Sequence, residues 1–256
     1  MNYELKPIAT IRTDFPTKFG VPRQSGLIKG LKGRIVFEPE YRDPEALRGL
    51  EGFSHIWLLW DFSEARKASP KSSPEGKDLV PPFPLGEGSG KRHFRATVRP
   101  PRLGGNKRMG VFATRSPFRP NNIGLSSVRI LSIDLHTPDG PVIEVEGIDM
   151  MDGTPIFDIK PYLAFTDSHP DATGSLTDPP SPFKGSFSQS YEREVCFHSP
   201  PEGGWGVQHL EVLREILASD PRPHYQDDPD RVYAFEFAGK EVKFRVKPNQ
   251  IEAWTE

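Results

Sequence analysis

The sequence predicts a mainly β protein: an N-terminal β-barrel or curled sheet over residues 1–165, with a surface loop inserted at 63–92. A linker at 166–186 then leads to a small α+β domain over 187–256. Three observations carry this. Short stretches of alternating apolar and polar residues, bounded by turn residues, outnumber helical patterns. No strand–helix–strand rhythm runs through the first part of the chain, which argues against a doubly wound parallel sheet. Proline, at 28 of 256 residues, runs at roughly twice the usual ~5%, which favours short strands and shaped loops over long helices.

Residues 5–12 alternate well enough for a first strand, and 20–33 form a turn-rich segment carrying Pro22-Arg23-Gln24. Asp43-Pro44 opens a short helix, with aspartate as N-cap and proline at the first helical position. Residues 53–60, Phe-Ser-His-Ile-Trp-Leu-Leu-Trp, are almost continuously apolar and read as a strand buried on both sides, with His55 a hydrogen-bonded core histidine. Residues 63–92 are poor in core formers and rich in turn residues, hence a surface loop. Gly86–Gly90 before Lys91-Arg92 lacks the spacing of a phosphate loop. Residues 109–114 suggest a strand; 123–135 and 142–148 suggest an antiparallel pair turning at Thr137-Pro-Asp-Gly140. In the last part, 187–197 form a strand, and 207–217 a helix with Leu210, Leu213 and Leu217 on one face. Asp220-Pro-Arg-Pro stops that helix, and 231–246 form a hairpin turning at Ala238-Gly239.

Composition bounds the partners. The single cysteine, Cys196, excludes an internal disulfide and a multi-cysteine zinc site, which fits a reducing cytoplasm. No apolar run approaches the ~18 residues of a membrane span, so a soluble protein with no membrane partner is expected. Net charge is only −2, yet no Asp or Glu occurs from 88 to 133, while ten Lys and Arg residues do. That local field suits an anionic partner. The same arginines could instead pair with carboxylates from elsewhere. Within this run lies Thr97-Val-Arg-Pro-Pro-Arg-Leu-Gly-Gly-Asn-Lys-Arg-Met-Gly-Val-Phe-Ala-Thr-Arg-Ser-Pro-Phe-Arg-Pro-Asn-Asn-Ile-Gly-Leu-Ser126, denser in Gly, Pro, Asn and Arg than a mere connection requires.

That stretch resembles the TsaA-like (TrmO) family of tRNA methyltransferases. So do the blocks beginning at Lys18 (KFGVPRQ), Leu47 (LRGLEGFSHIW), Gly147 (GIDMMDGTPIFDIKPY) and Leu213 (LREILASDPRPHY). The resemblance implies methyl transfer from S-adenosylmethionine to N6 of threonylcarbamoyl-adenosine in tRNA, beside the anticodon. It also implies a small β-barrel instead of a Rossmann-like sheet, a homodimer, and cofactor contacts at Pro22, Arg23, Gln24, Phe62, Ser63, Arg115, Leu125, Asp149, Met150, Met151 and Asp152. Two positions depart from the family pattern. Ser63 stands where histidine is frequent, which removes a histidine base there, and Asn122 stands where proline is frequent.

The residues themselves suit such a task. Pro22-Arg23-Gln24 offers a rigid turn with a cation and an amide for a carboxylate or a base edge, and Arg115 offers the same fork. Asp149-Met150-Met151-Asp152 follows a strand and ends in Gly153, placing amides and carboxylates near ribose hydroxyls or adenine; Arg115 and Asp152 could equally pair with each other. A backbone carbonyl or Asp149 could accept the target nitrogen's proton. Arg102, Lys107, Arg108 and Arg119 are expected phosphate contacts, with Arg222 and Tyr225 as outer tRNA contacts. Arg115 or Arg119 is expected to read the threonylcarbamoyl carboxylate. Tyr225 could stack on an unpaired base or pack on the hairpin. A non-catalytic S-adenosylmethionine- or RNA-binding protein of the same fold is the alternative.

Overall fold

The computed structural model describes residues 4–63, 96–99, 108–173, 193–198, 205–222 and 228–255. The expected insertion from 64 onward and the linker from 174 onward lie outside these residues. Six antiparallel strands form a closed barrel. They are β1 (Ala9–Thr13), β2 (Lys32–Phe37), β3 (His55–Asp61), β6 (Ile123–Thr137), β7 (Gly140–Glu146) and β8 (Thr154–Pro161), hydrogen-bonded in the order β1-β2-β7-β6-β3-β8. Two short strands, β4 (Thr97–Val98) and β5 (Met109–Gly110), pair outside it.

Alternation decides what fills the barrel. Ile11, Ile35, Ile56, Leu58, Val128, Ile143, Val145 and Ile156 are all buried in one core. β6 is long enough to serve two neighbours: residues 123–129 pair with β3, and from Arg129 onward the strand pairs with β7 through two register shifts. The expected 123–135 and 142–148 pair is this hairpin. β3 is a correction: only Ile56, Leu58, Trp60 and Asp61 are buried, while His55, Trp57 and Leu59 are half-buried. An antiparallel barrel leaves its outer face open, and here the face is only partly roofed, by Tyr162 against Trp57 at 5.4 Å and by Asp167, which accepts the indole N–H at 2.8 Å. His55 is accordingly no core histidine; it sits half-buried, with Nδ1 2.9 Å from Ser54 Oγ. The helix expected at Asp43-Pro44 is a single 3-10 turn, Pro44–Leu47, capped by Asp43. The strand expected at 109–114 stops at Gly110, where Val111–Ala113 turn into 3-10 geometry.

A short helix α1 (Ala164–Asp167) leaves the barrel. The second region holds β9 (Glu194–Phe197), α2 (Val207–Ala218), β10 (Tyr233–Phe237), β11 (Lys240–Val246) and β12 (Gln250–Thr255), with sheet order β10-β11-β12-β9 and β9 parallel to β12. The hairpin turns at Ala238 and Gly239, with φ of 47° and 74°, the left-handed pair that a two-residue turn requires. α2 buries Val212, Leu213, Ile216 and Leu217, so its apolar stripe is broader than the leucines alone indicated, and Leu210 is only half-buried.

The two regions meet through the long β1–β2 connection, residues 14–31. Phe15 lies 5.3 Å from Phe237, Phe19 packs on Phe235 and Phe244, and Ala238 N–H donates to the Asp14 carbonyl at 3.0 Å. Glu215 of α2 accepts from the Lys29 N–H at 3.2 Å. Gly20 sits at the closest approach: its φ is +94°, and a Cβ there would lie 2.6 Å from the Phe235 ring. Gly20→Ala is expected to cost about 1–3 kcal/mol through backbone strain and overpacking, measured as a lowered urea midpoint. A midpoint equal to the parent's would show that the contact yields without cost.

Candidate active site

Antiparallel closure brings three connections to one end of the barrel: β1–β2 (14–31), β3–β6 (62–122) and β7–β8 (147–153). Most of the residues singled out in the sequence lie on these connections. Arg115 Nη1 donates to Gln24 Oε1, joining the second connection to the first. Gln24 Nε2 in turn donates to the Arg23 carbonyl at 2.6 Å, which holds the turn. Arg23 reaches the other way, its Nη2 3.5 Å from the Arg222 carbonyl. Burial lowers its pKa, while the Asp220 carboxylate opposes that shift.

The third connection contributes Asp149. Its Oδ1 accepts from Ser126 Oγ at 2.6 Å, and Ser126 Oγ accepts from Trp60 Nε1 at 2.9 Å. Burial pushes the Asp149 carboxyl up to about 6, against the pull of Ser126, of the backbone N–H groups of Asp149 and Ser25, and of the Arg115 charge. Ser25 directly follows Gln24, so Asp149, Gln24 and Arg115 form one cluster. The relay depends on Gly124: a Cβ there would lie 2.3 Å from the Trp60 indole, so only glycine lets the ring cross β6.

Other expected residues are placed differently. Asp152 pairs with Arg12 at 3.4 Å and accepts the Thr13 N–H at 3.1 Å; Arg115 and Asp152 thus have separate partners. Met150 is buried in the core, leaving only its backbone for a ligand, and its carbonyl already accepts from Thr13 Oγ1. The Met151 carbonyl accepts from Thr154 Oγ1. Pro22 is buried, Phe62 packs on Trp60 at 4.2 Å, and Ser63 is half-buried at the edge of the described residues. Leu125, 56% exposed, lies on the opposite face of β6 from Ser126, outside the barrel.

Arg119 spends its guanidinium on the carbonyls of Thr114 (2.6 Å) and Val111 (3.3 Å) and lies over the Phe112 ring, bracing its own loop. Arg108 donates to Thr97 across β4 and β5. Arg222 is a correction: it is buried, with Nε 3.0 Å from both Asp220 oxygens, so its side chain is enclosed and not presented to a phosphate. Arg102, Lys107 and Tyr225 lie outside the described residues. Asn122 takes φ 50°, which proline's ring forbids, so this chain's departure there has a conformational reason. The sequence reading missed Trp60 and Ser126 as partners of Asp149. The signal was a serine at an inward position of a strand, between Gly124 and Val128.

Residues 10–168 match the family described as the tRNA-methyltransferase O N-terminal domain, and residues 186–255 match the TrmO C-terminal domain. The chain belongs to the tRNA-methyltransferase O family. It is similar to the tRNA (adenine(37)-N6)-methyltransferase of Escherichia coli K12, 36% identical over 257 residues that cover 99% of this chain and 97% of the relative. A protein of the same description from Eikenella corrodens is 44% identical over 196 residues, 76% of this chain and 92% of its own. The crystal structure of TrmO from Pseudomonas aeruginosa superposes with a TM-score of 0.66 at 27% identity, covering 99% of this chain and 98% of that one. The TrmO likeness therefore spans both the barrel and the second region.

Two outcomes follow from the relay. Gly124→Ala should displace Trp60 and lower stability by about 1–3 kcal/mol, read by chemical denaturation. Asp149 has a folded pKa of about 6, above the ~3.9 of an unfolded aspartate. Its contribution to stability is therefore full below pH ~4 and is lost as pH rises through about 6. The melting temperature of Asp149→Asn should gain on the parent's between pH 4 and 6, and the difference should level off above. A constant difference would mean that the carboxyl titrates normally.

Proposed function

We propose that this chain is an S-adenosylmethionine-dependent tRNA (adenine(37)-N6)-methyltransferase, acting on N6 of threonylcarbamoyl-adenosine. The observation that carries the reading is end-to-end similarity to a relative of that description, together with a polar cluster drawn from three connections at one barrel end. The donor set fits the cofactor. A zwitterion with a positive sulfur calls for a cation for its carboxylate, an anion near its positive groups and an apolar neighbour for its adenine. Arg115 and Gln24, Asp149, and Phe62 with the exposed Leu125 are the groups we assign to those needs. S-adenosylmethionine supplies a methyl group on a sulfonium, a reactive electrophile that requires no covalent enzyme intermediate. The protein's task is then to align the acceptor nitrogen and to exclude water.

Arg102, Lys107 and Arg108 on the acid-free connection are assigned to tRNA phosphates, and Arg119 to shaping the loop that presents them. We further propose two domains, 1–165 and 187–256, joined by 166–186, in a cytoplasmic homodimer. No helix among the described residues is long and apolar enough to cross a membrane. Phe112 and Phe118 are large apolar side chains exposed to solvent, and we assign them to a partner protomer.

Labelled S-adenosylmethionine should deliver its methyl group to tRNA that carries the threonylcarbamoyl group and much less to the same tRNA without it. Equal transfer to both would remove the modification from the substrate. Arg115→Ala should weaken cofactor binding about ten- to a hundredfold, the worth of a charge-assisted pair, measured by calorimetry. An unchanged affinity with an unchanged melt would move the cofactor elsewhere.

A further inference from the structure

We infer that Asp149, held at the barrel rim by Ser126 and Trp60, is the base that removes the proton from N6 of the modified adenine; this rests on the function proposed above. The need for a base comes from the substrate. Threonylcarbamoylation makes N6 part of a urea, whose lone pair is delocalised into both the carbonyl and the purine. Such a nitrogen is a poor nucleophile while protonated, but its N–H is more acidic than that of a free amine. The proton must leave as the new bond forms.

Asp149 is the carboxylate of this end that joins the Gln24–Arg115 cluster, through the Ser25 N–H and the charge of Arg115. Asp152 is tied to Arg12 and Thr13 instead. β3 brings the Trp60 indole and, next in sequence, the buried Asp61. β6 brings Ser126, flanked on its inward face by Gly124 and Val128, which carry no charge. A carboxylate offers about four acceptor sites. Ser126 Oγ and the N–H groups of Ser25 and Asp149 are the donors it meets here, leaving room for N6–H. Burial raises its pKa and so makes it a stronger base than an exposed aspartate, while Ser126, the two N–H groups and Arg115 hold it low enough to stay ionised at neutral pH.

The step balances. The N6–H bond breaks as its proton passes to a carboxylate oxygen of Asp149. The freed pair on N6 forms the N–CH3 bond, the S–CH3 pair returns to sulfur, and a neutral thioether leaves. Asp149 then releases the proton to solvent. Ser126 is a positioning residue that fixes the carboxylate and lowers its pKa, and Trp60 positions Ser126.

The test measures kcat/KM for threonylcarbamoylated tRNA from pH 5 to 8 at saturating S-adenosylmethionine, with calorimetric cofactor affinity for each protein. In the parent, the rate should climb about tenfold per pH unit below an inflection near 6 and level above it. Asp149→Asn should lose about 10²–10⁴-fold and the inflection with it, a loss that persists at saturating S-adenosylmethionine and exceeds its loss of cofactor affinity. Ser126→Ala should retain transfer, with its inflection moved to higher pH. An Asn variant with the parent's rate and profile overturns the inference. So does one whose loss matches its loss of cofactor affinity. A parent that moves no methyl group to this tRNA overturns the functional reading together with the inference, whereas an active parent beside an unimpaired Asn variant overturns the inference alone.

Discussion

The structure depends on the closure of one antiparallel barrel. β8 pairs with β1 on one side and with β3 on the other, and without it the sheet would be open between those two strands. Closure removes free edges, and because every pairing is antiparallel it sends alternate connections to opposite ends. The polar cluster is a consequence of this rule. Residues 24, 115 and 149 are far apart in sequence and meet because their connections emerge from the same rim.

The fold was legible where a segment answers to a local rule. β6 alternates over its first half and β7 over its second, α2 carries its leucines at helical spacing, and the Ala238-Gly239 turn announces its hairpin. β8 was not legible as a strand, because Pro155 and Pro161 cannot donate to a ladder and read as punctuation. It survives because both prolines stand near its ends. β3 was misread as doubly buried because an apolar run does not distinguish a covered outer face from a half-covered one.

The site was legible in part, for a different reason. A motif names residues without saying which way each side chain points. Asp149-Met150-Met151-Asp152 looks like one ligand-binding unit, yet the backbone turns Asp149 toward Ser126, sends Met150 into the core and leaves Asp152 with Arg12. Arg222 looked like a cation on a turn, but a buried carboxylate two residues earlier, at φ 49°, captures it. Neither outcome is encoded in spacing; both are set by packing.

The β1–β2 connection turns Gln24 toward Arg115 and meets Arg222, Phe235, Phe237 and α2 of the second region through Arg23, Phe19, Phe15 and Lys29. One segment is thus both wall of the site and wall of the interface. Local opening of the second region would loosen the segment that bears the site, and a ligand gripping that segment would slow the opening in the same measure. The Ala238 amide lies in the second region and donates to the Asp14 carbonyl of that same segment, so a ligand that grips the segment is expected to slow this amide's hydrogen exchange.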